Sequence, residues 1–404
     1  VRIVVVGKGG REHALALALA RHHDVIVTPG NDGMSLDVEV SNRGPSELAP
    51  ELVVIGPEAP LVAGLADELR ARGIPTFGPG ARGAMLEGSK VFLKEIAIEA
   101  GVPTAAYGVA RTRDEAERLL VRFGPPYVIK TDGLAEGKGV LVTRDLGDAL
   151  ADAEAKLSGA AFGEAGKRLV IEEALRGREL SVFAVANGRD AVLVGSARDY
   201  KRLRDGDLGP NTGGMGSISP VPEVDWKLEQ QVLEEIIRPT LATLSSRGIE
   251  YRGVLYAGLM LTEGGPKLIE FNVRFGDPEA EALLPLVASD LGELCRAAAL
   301  GEPLPSIELQ PSAAATVVIA SEGYPLHPEI GRPVSGVEEA RAIPGVQVCS
   351  AALLRRSGRW VTSGGRVLAV TGIGRDLSDA VATAYRAVDC ISLEGAELRR
   401  DIGS

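Results

Sequence analysis

The opening residues VRIVVVG constrain the fold more than any other stretch. A run of β-branched residues without polar alternation suits a strand buried on both faces, as in a parallel sheet. A glycine turn follows, and EHALALALARHH then reads as a helix. DVIVTPG, ELVVIGPE and GIPTFGP read as further strands with helical or loop material between them. This alternation predicts an open, doubly wound parallel sheet forming an N-terminal domain over residues 1–90. GSKVFLKEIAIEAGVP then predicts a helix that carries Lys90 and Lys94 and stops at Gly101 and Pro103.

Beyond it, strands dominate: YVIKTDG, GVLVT, RLVIEEAL, ELSVFAVA, AVLVGSARDY, VLYAGLML and KLIEFNV. The helical segments DLGDALADAEAKL and VDWKLEQQVLEEIIRPTLATLSSRG interrupt them, so residues 91–310 are expected to form a mostly antiparallel α+β domain. The pattern AAATVVIA, VQVCSAALLR, GRWVTSGGRVLAVTGIG and the helix LSDAVATAYRAVDCI predict a smaller β-rich C-terminal domain over 311–404. The fold class is therefore α/β combined with α+β. Segment 200–222, YKRLRDGDLGPNTGGMGSISPVP, reads as one long glycine-rich loop, and loops of that length are usually functional.

Composition narrows the partners. The chain has 404 residues and a net charge of −11, which argues against nucleic acid or an anionic membrane. An anionic small molecule must then be held by a local cluster of cations. Cys295, Cys349 and Cys390 stand in no paired spacing, so neither a disulfide framework nor a zinc site is expected. No apolar run approaches the ~20 residues of a membrane span. The start has no signal-peptide layout, and a cytoplasmic location is expected.

Several segments carry chemistry. In IEFNVRFGDPE, Glu270, Asn272 and Arg274 alternate with Phe271, Val273 and Phe275. On a strand one face is then apolar, while the other presents an acid, an amide and a cation in a row. Glu270 and Asn272 supply oxygens suited to a hard cation such as Mg²⁺. GKGGREH places N–H groups at a helix N-terminus, either as an anion site or as a ligand-free turn. A dinucleotide fingerprint fails there, because Glu12 replaces the last glycine and no acid follows DVIVTPG. YVIKTDGLAEGKGV reads as a strand bearing Lys130 and a glycine hairpin with Gly133, Gly137, Lys138 and Gly139, able to cover phosphates. LVIEEALRGRELSV is either a surface hairpin or a nucleotide hinge. Asp277–Pro278–Glu279 fits both a helix start, with Asp277 as cap, and a site.

The order of these segments, with GGREHAL, VGPEAPL, LEGSK, GPNTGGMG and EFNVRFGDPE, resembles the glycinamide ribonucleotide synthetase family of ATP-grasp ligases over nearly the whole chain. The resemblance implies an ATP-grasp fold with an N-terminal pre-ATP-grasp domain and a lid at about 112–182. It implies a carbon–nitrogen ligase that takes ATP, glycine and 5-phosphoribosylamine, with Mg²⁺ or Mn²⁺ as cofactor. Lys94 and Lys130 are expected at the ATP phosphates, under the loop with Gly133, Gly137, Lys138 and Gly139. Glu172 and the backbone at Glu173–Leu175 are expected at adenine, and Glu179 at the ribose. Glu270 and Asn272 are the expected metal ligands, and Lys130, Arg274 and Asp199 the expected catalytic residues. Gly9, Gly10, Arg11 and Glu12 are expected at the substrate phosphate. Asp199, Lys201, Gly213, Gly214, Met215, Gly216, Arg274, Gly276 and Asp277 are expected around the amine and glycine. The family often has Thr or Cys and then Gln after FGDPE; here Ala280 and Glu281 stand without an assigned role.

Overall fold

The computed structural model describes residues 1–134, 139–159 and 166–404. Its first sheet has five parallel strands in the order Glu39–Val40, Asp24–Pro29, Arg2–Gly7, Leu52–Ile55, Thr76–Phe77. Ile3, Val4 and Val5 are fully buried, so the apolar run does lie between two covered faces. The helix Gly10–Leu19 leaves the first strand through the glycine turn.

The helix Lys90–Glu99 starts at Ser89, whose hydroxyl accepts from Phe92 N at 3.1 Å. A four-stranded antiparallel sheet follows, in the order Tyr107–Ala110, Leu169–Glu172, Tyr127–Thr131, Val140–Thr143. It has its own small core of Ala110, Leu120, Ile129, Leu169 and Ile171. Asp132 ties this sheet to the Lys90–Glu99 helix. Its Oδ1 accepts from Ser89 Oγ at 2.6 Å and from Val91 N at 3.0 Å.

The central sheet has eight strands, all paired antiparallel: Gly265–Asn272, Arg252–Thr262, Arg178–Asn187, Ala191–Asp199, Gly216–Ser219, Ala313–Ala320, Arg366–Gly374 and Val346–Ser350. Two expectations change here. Segment 200–222 is not one loop, because it contains the hairpin Arg202–Arg204/Leu208–Asn211 and the strand Gly216–Ser219. That last strand pairs with Ala191–Asp199 on one side and Ala313–Ala320 on the other. The C-terminal strands consequently continue the central sheet, and only Pro333–Ser335, Leu353–Arg356, Arg359–Thr362 and Ser392–Leu393 form a separate small one. Long polar and glycine-rich sequence concealed a four-residue strand whose backbone completes the ladder. Among the described residues no helix is long and apolar enough to cross a membrane.

The N-terminal sheet and C-terminal strands are also locked to each other. His13, fully buried, accepts from Ser350 N at 2.8 Å through Nδ1 and meets Asp37 Oδ2 at 3.0 Å through Nε2. Arg341 closes on the same carboxylate at 2.6 and 2.8 Å.

Candidate active site

The alternation in IEFNVRF becomes the wall of the site. Phe271, Val273 and Phe275 are at most 2% exposed, and Phe271 and Val273 sit in the largest apolar cluster. Glu270, Asn272 and Arg274 face a cavity of about 520 Å³. The cavity runs between the four-stranded sheet, the N-terminal sheet and the C-terminal strands, and it contains two differently charged ends.

At one end Lys90 Nζ lies 3.1 Å from Glu270 Oε2. Thr131, Gly133 and Gly139 line the same end. Lys90, with help from Lys201 and Lys130, holds the Glu270 carboxyl far below the usual carboxylate range against the opposing effect of burial. Asn272 is 8% exposed. One carboxylate and one amide on the same wall fit a hard divalent cation. Among the described residues no group of three or more His, Cys, Asp or Glu side chains could hold a metal ion. Mg²⁺ bound beside substrate phosphates takes only one or two protein carboxylates, so the pair suffices.

Beneath this end, Lys94, Lys130 and Glu172 form a buried cluster. Glu172 receives Lys94 Nζ at 2.8 Å on one oxygen and Lys130 Nζ on the other. Lys94 also donates to Thr104 Oγ1 at 2.8 Å. Burial works to raise the Glu172 carboxyl, but Lys130 and Lys94 outweigh it and lower it. Burial lowers the Lys94 ammonium, Glu172 opposes this without reversing it, and Lys130 adds to the lowering by repulsion. Glu172 is only 3% exposed. Its carboxylate, expected at adenine, is committed to the two lysines, and a cluster of two cations and one anion retains net positive charge. Glu173 N donates to Ala106 O at 2.9 Å, and Leu175 lies in the link between the Leu169–Glu172 and Arg178–Asn187 strands. Gly137 and Lys138 lie outside the described residues.

Asp199 and Lys201 stand in the middle of the cavity wall, with Oδ2 and Nζ 4.0 Å apart. Lys201 also donates to Glu179 Oε2. Burial, helped by Glu279 and Glu179 and opposed by Lys201, pushes the Asp199 carboxyl up to about 7. Burial works against the charge on Lys201, but Asp199, Glu179 and Glu270 more than reverse this and raise it.

At the far end Arg274 Nε meets Glu58 Oε2 at 3.1 Å, and its Nη2 meets Glu87 Oε1 at 2.9 Å. Glu87 also accepts from Val273 N at 2.8 Å, which fixes the strand end. Burial acts to raise Glu58, yet Arg274 and Arg11 hold it down at about 2. Arg366 Nη1 donates to Gly213 O at 2.7 Å and Asp277 O at 2.8 Å, and pairs with Asp277 Oδ1 at 3.0 Å. Tyr324 Oη accepts from Gly213 N at 3.0 Å.

The GGRE turn differs from expectation. Arg11 lines the cavity, but Glu12 fills the turn itself, accepting from Gly9 N at 2.7 Å and Lys8 N at 3.2 Å. A Cβ on Gly7 or Gly56 would lie 2.3 Å from this side chain, so both glycines make room for it. A carboxylate already occupies N–H groups that a phosphate or dinucleotide would use, which corrects the placement of Glu12 among phosphate-holding residues. Gly9 and Gly10 flank that carboxylate at the helix start and do not line the cavity. Met215 is corrected likewise: it is fully buried with Leu203 and Ala320. Gly214 packs on Pro278, Gly216 lies inside the Gly216–Ser219 strand and Gly276 packs on Glu279. The helix after FGDP begins at Glu279 with Pro278 as cap, so Asp277 precedes the cap and pairs with Arg366 instead.

Sequence reasoning missed Glu58, Glu87, Lys90, Tyr324 and Arg366 as site residues. VGPEAPL and LEGSK contain the first three, and acids set beside apolar residues were the available signal. Tyr324 and Arg366 had none, since Tyr324 arrives from a turn and Arg366 from a strand, both distant in sequence.

Comparison with known proteins decides the family. Models of phosphoribosylglycinamide synthetase match in three parts: the N domain over residues 1–87, the ATP-grasp (A) domain over 88–280 and the C domain over 314–404. A phosphoribosylamine–glycine ligase of Leifsonia xyli is 44% identical, with 100% of each chain covered. This chain belongs to the phosphoribosylglycinamide synthetase family. The synthetase family's architecture extends to the solved structure of a Thermotoga maritima phosphoribosylamine–glycine ligase, 37% identical, with a TM-score of 0.89 over 99% of this chain and 100% of that one. A biotin carboxylase of Campylobacter jejuni, 17% identical, shares the fold with a TM-score of 0.73 over 98% of this chain and 92% of that one. The chain is thus an ATP-grasp protein and, with its family, a ligase.

The Glu172 cluster yields a direct test. Glu172→Gln leaves two buried ammonium groups without their anion and is expected to destabilise the fold by about 3–5 kcal/mol. Urea denaturation measures this, and an unchanged midpoint would show that the lysines find other partners.

Proposed function

We propose that this chain joins glycine to 5-phosphoribosylamine with ATP, giving glycinamide ribonucleotide, ADP and phosphate in purine biosynthesis in the cytoplasm. One observation carries the reading. A single cavity has a carboxylate–amide pair and Lys90 at one end, three arginines at the other, and a carboxyl pushed up to about 7 between them. The family membership supports these substrates, and the charge pattern supports a separate site for each.

A carboxylate and an amine do not condense in neutral water. Transfer of the γ-phosphoryl of ATP to a glycine carboxylate oxygen releases ADP and makes glycyl phosphate. The amine nitrogen of phosphoribosylamine then attacks the carbonyl carbon, phosphate leaves with the C–O electron pair, and the nitrogen gives up a proton. Such chemistry rests on positioning and charge neutralisation. Lys90 and the Lys94–Lys130–Glu172 cluster attract the nucleotide phosphates, and the hairpin bearing Gly133 and Gly139 covers them and excludes water. The link Glu173–Leu175 flanks adenine, and Glu179 the ribose. Glu270 and Asn272 would hold Mg²⁺, or Mn²⁺ in its place, which neutralises phosphate charge when bound. Arg274, fixed by Glu58 and Glu87, orients the glycine carboxylate. Arg11, Arg366, Asp277 and Gly213 surround the ribosylamine. Asp199 takes the proton from the attacking amine.

ADP release that requires both glycine and phosphoribosylamine tests the whole reading; release with other amino acids, or none at all, would overturn it. Glu270→Ala is expected to raise the Mg²⁺ concentration for half-maximal rate by about 10- to 100-fold, and an unchanged titration would place the metal elsewhere. Asp199 must be ionised to accept a proton, so kcat/KM should rise as pH passes through about 7. Asp199→Asn should abolish that limb and lower the rate by about 10²–10⁴-fold; a persisting limb would assign it to another group.

A further inference from the structure

Glu281 is the one side chain among the described residues whose two carboxylate oxygens are both buried without a hydrogen-bond partner. It is fully buried on the short helix Glu279–Leu283, directly behind the far end of the cavity. A Cβ on Gly10 would lie 2.4 Å from its Oε1, so the carboxyl is pressed against the first residue of the Gly10–Leu19 helix. Thr371 Oγ1 donates to its backbone carbonyl at 3.0 Å, which fixes the residue from the opposite side.

The charged and titratable groups around it are Asp277, Arg366, Arg11 and Cys349. Each cation is committed elsewhere. Arg366 holds Asp277 and the Gly213 carbonyl, and Arg11 pairs with Glu12 at 2.6 Å. The positive end of the Gly10–Leu19 helix is also taken, since Glu12 accepts from Lys8 N and Gly9 N. Asp37, which lies beyond Cys349, is paired with His13 and Arg341. An ionised carboxylate here would be desolvated, unpaired and next to a like charge.

We propose that Glu281 is a positioning residue that works as a neutral carboxylic acid, keeping the Gly9–Gly10 turn and the Asp277–Arg366 pair in the arrangement that receives the ribonucleotide. Burial and Asp277 keep its proton on well above the ordinary range, against the weaker pull of Arg366 and Arg11. Loss of that proton places a second carboxylate beside Asp277, and the two compete for Arg366. Arg366 then slackens its hold on Gly213 and Asp277, and the ribonucleotide end loosens while the ATP end is unaffected. This rests on the ligase reading above.

The test uses glycinamide ribonucleotide and ADP as probes, binding to full-length wild type and Glu281→Gln at pH 7 and pH 9. The amide reproduces the shape of the neutral acid and cannot ionise. Wild type should lose ribonucleotide affinity relative to E281Q as pH rises from 7 to 9, while ADP affinity shifts equally in both proteins. Stability gives an independent readout. The unfolded chain releases this proton near pH 4.3 and the folded chain retains it to higher pH, so wild-type stability should fall relative to E281Q as pH rises above about 4.3. Parallel pH profiles for the two proteins, or failure of E281Q to fold, would overturn the role of Glu281. Failure of wild type to bind the ribonucleotide at pH 7 would instead overturn the ligase reading, and the stability comparison would still decide the protonation state of Glu281.

Discussion

Charge taken out of water must be matched inside the protein, and this requirement organises the cavity from end to end. Arg274 is held by Glu58 and Glu87, Lys94 and Lys130 by Glu172, and Glu270 by Lys90. Each pair joins elements from different parts of the chain. Glu58 and Glu87 come from the N-terminal region, Arg274 from the bend just after a central strand, and the lysines from the helix and strand beside the hairpin. The charged groups that surround the cavity therefore also hold the layers in register. A buried pair of this kind adds little stability over apolar packing, but removing one partner is costly.

The same requirement explains the glycine turn. A strand–turn–helix start offers N–H groups to an anion, and the protein supplies that anion from its own chain as Glu12. The turn becomes a rigid mount for Arg11, which reaches the cavity, instead of a cradle for a ligand. Arg366 does comparable work from the opposite side. It gathers the carbonyls of Gly213 and Asp277 and so joins the Gly213 segment, the FGDP turn and a C-terminal strand at one point.

Continuity of the central sheet gives these contacts a stiff frame. Gly216–Ser219 is hydrogen-bonded on both sides, so the strands bearing Asp199 and Arg366 belong to one ladder. The four-stranded sheet stands apart with its own core, tied near the cavity by Asp132 to the start of the Lys90–Glu99 helix.

Local periodicity was enough to identify the parallel N-terminal strands, the Lys90–Glu99 helix and the alternating face of Glu270, Asn272 and Arg274, because residue spacing alone determines which side chains share a face. The order of the motifs was likewise enough to place the chain among ATP-grasp ligases. Tertiary structure decided what no spacing encodes. It turned part of a glycine-rich stretch into the strand that unites two sheets, committed Glu172 to two lysines, put Glu12 inside its own turn, and brought Tyr324 and Arg366 to the cavity. Each of these depends on partners far away in the chain, and a carboxylate's role follows from which cation the fold sets beside it.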